Sequence, residues 1–142
     1  MTAERTVVTG ASGCIKVELP CVPESAGRAR AFISGVLAGW GLESDLADLG
    51  EAIVSELVTN SVDHTETRLT EIVVERRLDS SIRIGVSDGS QAAPCVEKAT
   101  DDAESGRGLY LVDALSSRWG YDLYGWGKVT WAEIKAPAGA SR

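Results

Sequence analysis

Several things are scarce in this chain. Its 142 residues include one His, one Met, one Phe and four Pro. Three cysteines, Cys14, Cys21 and Cys95, make an odd set with no C-x-x-C spacing. That argues against a disulfide framework or a zinc site and predicts a reducing, cytoplasmic compartment. The single histidine, His64, leaves little material for a His-rich metal centre or a Ser/His/Asp triad. No apolar run approaches the roughly 20 residues that span a bilayer. Residues 1–10 hold no charged segment leading into a long apolar core, so neither an anchor nor a signal peptide is expected. Basic residues are outnumbered, 14 Lys+Arg against 21 Asp+Glu, for a net charge of -7. Such a surface repels phosphate backbones and argues against direct nucleic-acid or anionic-membrane binding. One small anionic ligand remains compatible, because a local pocket of backbone N–H groups can override the global field.

What is present is ordinary for a globular protein: 44% hydrophobic and 25% charged residues. The length fits one domain with an adequate core. Residues 1–13 read as a flexible N-terminus, 14–137 as the folded domain and 138–142 as a tail. The segment C-I-K-V-E-L-P from Cys14 alternates apolar and charged residues as a strand does. A helix is predicted from Pro23 to about Trp40, with Ala29, Ile33, Val36 and Leu37 on one side. A second helix, capped by Asp45, continues to about His64. Strands follow at 69–78 and 82–87, joined by the turn signal Asp79-Ser80-Ser81. The polar stretch 88–105 reads as a long functional lid or a disordered stretch. A third helix opens at Gly106-Arg107-Gly108, with Leu109, Val112, Leu115 and Trp119 on one stripe. A hairpin over 121–126 and 128–134 closes the chain. The order β-α-α-β-β-loop-α-β-β does not alternate strictly. It predicts an α/β two-layer sandwich, one mixed, mainly antiparallel sheet with helices on one face.

Three places carry chemistry. On the second helix Leu46, Leu49, Ile53 and Leu57 share a face, and Asn60 and His64 fall in the same arc with Glu56 at its edge. An amide, an imidazole and a carboxylate on a core face are costly without partners. Either the helix runs past the core there, or this turn lines a pocket in which Glu56 accepts a proton and Asn60 holds a metal ion. The second place is Ser105-Gly106-Arg107-Gly108-Leu109, where glycines at a helix mouth let backbone N–H groups approach a phosphate. No Lys follows, so it is not a Walker-type loop. The third is Asp88-Gly89 at a strand end, either a plain turn or an acid facing a base amine, with Thr130 in the last strand beside it.

In this order the motifs resemble a known family. Glu56-Leu57-Val58-Thr59-Asn60-Ser61-Val62-Asp63-His64 is similar to the N box of the GHKL (histidine-kinase-like, Bergerat-fold) ATPases. Asp88-Gly89-Ser90 resembles a shortened G1 box, and Gly106-Arg107-Gly108-Leu109 a G2 box. The chain looks most like the small anti-sigma factor serine kinases of the RsbW/SpoIIAB type, including Arg118-Trp119-Gly120 and a closing Trp131-Ala132-Glu133. The resemblance covers roughly residues 14–137 and implies a Bergerat fold binding ATP or ADP with Mg2+. Glu56 would match the general base or water-orienting carboxylate, and Asn60 the magnesium ligand. Asp88, supported by Thr130 and followed by Gly89, would match the adenine-reading acid. Gly106, Arg107, Gly108 and Leu109 would match the lid at the phosphates, and His64 the end of the N box. The expected partners are an anti-anti-sigma STAS-domain protein and a sigma factor, with a homodimer implied by the resemblance alone.

A complete sensor histidine kinase would need a phospho-accepting His on a separate hairpin, and the one His is in the N box. Two functions remain open. One is a protein-serine/threonine kinase acting on the STAS partner. The other is a nucleotide-sensing binding module with little or no kinase activity. The short G1 box and Asp63, where many relatives carry a basic residue, favour the second. Glu56 and Asn60 favour the first. The acidic run Asp101, Asp102 and Glu104 before Gly106 is either a solvated face or a partner contact.

Overall fold

The computed structural model describes residues 5–8, 13–77, 79–94 and 107–135, with the backbone alone at 5–8, 107 and 108. Cys95, Gly106, the acidic run at 101–104 and the C-terminal tail lie outside the described residues. Six strands form one sheet: β1 (Arg5–Val8), β2 (Cys14–Pro20), β3 (Leu69–Arg76), β4 (Ser81–Asp88), β5 (Arg118–Tyr124) and β6 (Gly127–Lys135), in the order β1-β2-β3-β4-β6-β5. The helices are α1 (Ser25–Gly39), α2 (Ser44–His64) and α3 (Arg107–Leu115). The α/β architecture, one sheet with its helices, is as the sequence predicts. Every strand pairing is antiparallel, so the sheet is not mixed.

Period-two alternation decides which side chains meet the helices. Val17, Ile72, Val86 and Thr130 stand opposite one another across β2, β3, β4 and β6, as do Val74, Ile84 and Ala132 across β3, β4 and β6. All of these are buried. Ala29, Ile33 and Leu37 of α1, and Ile53, Val54, Leu57 and Val58 of α2, complete the core from the other side. α2 packs on α1, α3, β4 and β6, so it is the central helix.

Four local readings need correction. Within the segment read as flexible, Arg5–Val8 forms β1 against β2, because its Thr-Val-Val run suits an edge strand. Asp45 is not the cap of α2. The capping position is Glu43, and Asp45 lies in the first turn, where its charge still suits the helix dipole. The first helix starts at Ser25, two residues beyond Pro23. Trp119 is not part of the third helix. α3 ends at Leu115, where Ser116 Oγ donates to the Val112 carbonyl and Ser117 N–H donates to the Glu133 carbonyl, and the chain enters β5. Trp119 still packs against the core from that strand, its Nε1 donating 2.9 Å to Asp113 Oδ1.

The R-W-G and W-A-E tripeptides now have a physical reason. They pair residue for residue, Arg118 with Glu133, Trp119 with Ala132 and Gly120 with Trp131. A Cβ at Gly120 would come within 2.8 Å of the Trp131 ring. Arg118, Gly120, Trp131 and Glu133 build the sheet face away from the helices, while Trp119 and Ala132 face the core; they are scaffold rather than site.

Candidate nucleotide site

Asp88 ends β4 and is 3% exposed. Its carboxylate is held from three directions. Oδ1 accepts from Lys128 Nζ at 2.9 Å and from the Ser90 backbone N–H at 2.9 Å, while Oδ2 accepts from Ser61 Oγ at 3.2 Å. Lys128 stands opposite Asp88 in the β4–β6 register and is itself 2% exposed. This buried ion pair lies on the helix-facing side of the sheet. Lys128 shares the phase of Thr130, Ala132 and Ile134, all buried.

A chain of hydroxyls fixes the turn after Asp88 to the end of α2. Gly89 N–H donates to Thr67 Oγ1 at 2.9 Å, the Thr67 hydroxyl meets Thr65 Oγ1 at 2.7 Å, and Thr65 Oγ1 donates to the Ser61 carbonyl at 2.6 Å. Ser61 therefore touches the turn twice, through its own Oγ and through this chain. The neighbouring residue, Asn60, is thereby positioned by contacts that the spacing of the motif does not reveal. Cys21, just past β2, lies close enough for Asp88 to act on it: burial first, and then the negative charge of Asp88, push its thiol up.

The predicted N-box residues separate into three environments. Asn60 is 8% exposed, and its side-chain amide makes no hydrogen bond among the described residues. Glu56, one turn earlier, is half-buried, and desolvation raises its carboxyl above the ordinary carboxylate range. His64, expected in the same arc, is exposed instead. It ends α2, where the helix has run past the core, so the apolar stripe no longer determines its neighbours. Asp63 is also exposed.

Thr130 is buried on the same side of the sheet as Asp88, two pairs further along β6 and opposite Val86. Gly89 follows Asp88 in the turn and is pinned as described. Arg107 and Gly108 are the first two residues of α3, so a backbone donor end stands where the glycine motif predicts it. Leu109, read as part of the phosphate loop, places its side chain wholly in the hydrophobic core with Val112. No group of three or more His, Cys, Asp or Glu suited to a metal occurs among the described residues. A metal would thus depend on Asn60 together with ligand oxygens.

Sequence reasoning missed Lys128 and Ser61. A signal for Lys128 was present: in K-V-T-W-A-E-I it falls in the phase of Thr130, Ala132 and Ile134, an ammonium on the core side of a strand. Ser61 gave no such signal, because a serine beside an N-box asparagine is unremarkable in any helix.

With this geometry in place, the comparison with protein families is decisive. The model of the histidine kinase-like ATPase domain matches residues 19–134, most of the chain. The chain belongs to the histidine kinase-like ATPase family. The match runs from the end of β2 through β6 and takes in α2, the Asp88 turn and α3. A search of curated proteins finds no matching relative. As a member of this family the chain carries a nucleotide-binding ATPase domain of GHKL type, and the antiparallel sheet with its three helices agrees with that fold. No helix among the described residues is long and apolar enough to cross a membrane.

Proposed function

We propose that this histidine kinase-like ATPase domain is an anti-sigma regulatory protein with protein-serine/threonine kinase activity. It transfers the γ-phosphate of ATP to a hydroxyl of an anti-anti-sigma STAS-domain partner and sequesters a sigma factor. The observation that carries this reading is the pair Glu56 and Asn60, one turn apart on α2. One is a half-buried carboxylate raised in pKa, the other a buried amide without a hydrogen bond among the described residues.

Phosphoryl transfer needs positioning and charge neutralisation more than covalent help from the protein. The partner's hydroxyl oxygen bonds to the γ-phosphorus, the bond from that phosphorus to the β–γ bridging oxygen breaks, and ADP leaves. Glu56 takes the hydroxyl proton, a task for which a raised carboxyl is better matched to neutral pH than an ordinary one. Asn60 suits Mg2+, an ion that takes few protein ligands and keeps water and phosphate oxygens around it. When bound, the ion neutralises charge on the phosphates. Asp88 takes the adenine amine with Thr130 beside it, and the Gly106-Arg107-Gly108 motif would supply backbone N–H groups to the phosphates.

The second reading, a nucleotide-sensing binding module, has its own support in the shortened Asp88-Gly89-Ser90 turn and in Asp63 beside the end of α2.

Labelled phosphate transfer to the cognate partner tests both. The wild type should label the partner, and Glu56→Gln should slow transfer by about 10²–10⁴-fold while still binding nucleotide. Because the Glu56 carboxyl is raised, wild-type transfer should increase with pH as that group loses its proton, and Glu56→Gln should be flat over the same range. A matched partner that gains no phosphate from a nucleotide-loaded wild type would establish the binding-module reading instead.

A further inference from the structure

Lys128 is an unusual occupant of a sheet's inner face. Its ammonium is desolvated, 2% exposed, and its one side-chain partner among the described residues is Asp88. An ammonium carries three N–H donors. One goes to Asp88 Oδ1, and the other two meet no acceptor among the described residues. A buried donor left unmade is costly, so the site favours an incoming acceptor. The carboxylate shows the complementary state. It offers about four acceptor positions, and the Lys128, Ser90 and Ser61 donors take three. The pair therefore presents one open acceptor next to open donors, both buried.

The geometry points to Lys128 as a second base-reading residue, which donates to the N1 ring nitrogen of adenine while Asp88 accepts from the neighbouring N6 amine. This deepens the nucleotide reading above and rests on it. Adenine carries its N6 donor directly beside its N1 acceptor, so an adjacent carboxylate and ammonium match the two atoms as one unit. The ion pair is then kept for recognition. A buried pair replaced by apolar groups of similar volume is often no less stable, so stability alone does not require a lysine here. On this account the Lys128–Asp88 contact does not block the pocket; the base adds to it.

Calorimetric titration with three diphosphates tests the assignment: ADP, 1-deaza-ADP, which lacks the N1 acceptor, and the diphosphate of purine riboside, which lacks the N6 amine. Wild type should bind ADP at least about tenfold more tightly than 1-deaza-ADP, the scale of a hydrogen bond from a charged donor. In Lys128→Met that preference should fall to about onefold, while the preference for ADP over the purine riboside diphosphate remains. Should Lys128→Met fail to fold, the wild-type comparison still decides. Equal binding of ADP and 1-deaza-ADP by the wild type overturns the assignment. So does a Lys128→Met variant that binds ADP more tightly, which would make the lysine a plug, or one that loses affinity equally for both, which would place the ammonium on a phosphate. Discrimination at N6 without discrimination at N1 overturns this inference and leaves the nucleotide reading standing. Binding of none of the three overturns both.

Discussion

Gly127 opens β6 with φ 153°, and a Cβ there would run into the Asp88 carbonyl oxygen and stand 2.8 Å from Gly89 Cα. The base-side turn can lie against β6 only because residue 127 has no side chain. Gly127→Ala should cost about 1–3 kcal/mol in chemical denaturation, from overpacking combined with an unfavourable φ. It should also weaken nucleotide binding, since it displaces the backbone that carries Asp88. Asn60 behaves in the opposite way. Its amide has no hydrogen bond to lose among the described residues, so Asn60→Ala should leave the melting temperature of the free protein nearly unchanged. Stabilisation by ADP should then no longer depend on added Mg2+, whereas the wild type should melt higher with Mg2+ and ADP than with ADP alone. Identical Mg2+ dependence in the two proteins would refute the metal role.

At the scale of elements, α2 matters most because it touches α1, α3 and the sheet. Its close approach is set at Gly50, where a Cβ would lie 3.0 Å from Ile33 Cγ2 and 3.4 Å from both Ile84 Cδ1 and Leu37 Cδ1. Gly50→Val fills space that α1 and β4 already occupy, and should destabilise by about 1–3 kcal/mol. It should also loosen the Ser61–Asp88 contact, because the same helix carries both positions. A denaturation midpoint equal to that of the wild type would contradict this packing. The sequence already showed much of the element. The 3.6-residue stripe of Leu46, Ile53 and Leu57 marks the buried face, and Asn60 follows it to a buried position. His64 does not, because burial near a helix end depends on where the sheet stops. The β3–β4 hairpin was legible for a similar local reason. Asp79 Oδ1 accepts from the Ser81 N–H and hydroxyl, and Ser80 takes a positive φ of 70°.

At the scale of the whole molecule, the sheet face opposite the helices is held by charge. Glu133 is 4% exposed and meets three arginines: Arg83 at 2.6 Å, Arg118 at 2.7 Å and Arg77 at 3.5 Å. Arg83 also lies over the Trp131 ring, 3.9 Å from its centroid. The hydrogen bond from Arg118, helped by Arg83, holds the Glu133 carboxyl below the ordinary carboxylate range despite its burial. Its folded pKa is thus lower than its unfolded one. The network contributes stability above the unfolded pKa of about 4.3 and loses it as pH falls through the folded value. Acid should therefore destabilise the wild type steeply below pH 4. Glu133→Gln should lose about 1.5–3 kcal/mol at neutral pH, the range for hydrogen bonds to a charged group, and show a flatter acid limb. Melting temperatures of both proteins from pH 7 to pH 3 measure this.

The sequence by itself determined what local periodicity and turn chemistry can carry: the α/β class, the helix and strand succession from Cys14 onward, the alternation of β2, and the ordered motifs around Asn60, Asp88 and Gly108. These follow from backbone sterics and from the spacing at which apolar residues recur along one element. Tertiary structure alone decided which residues complete the site. Lys128 reaches Asp88 because β6, and not β5, pairs with β4. Ser61 reaches Asp88 because α2 lies across that end of the sheet. Contacts between residues 27 and 40 positions apart are fixed by strand order and helix packing, and no short window of sequence encodes them.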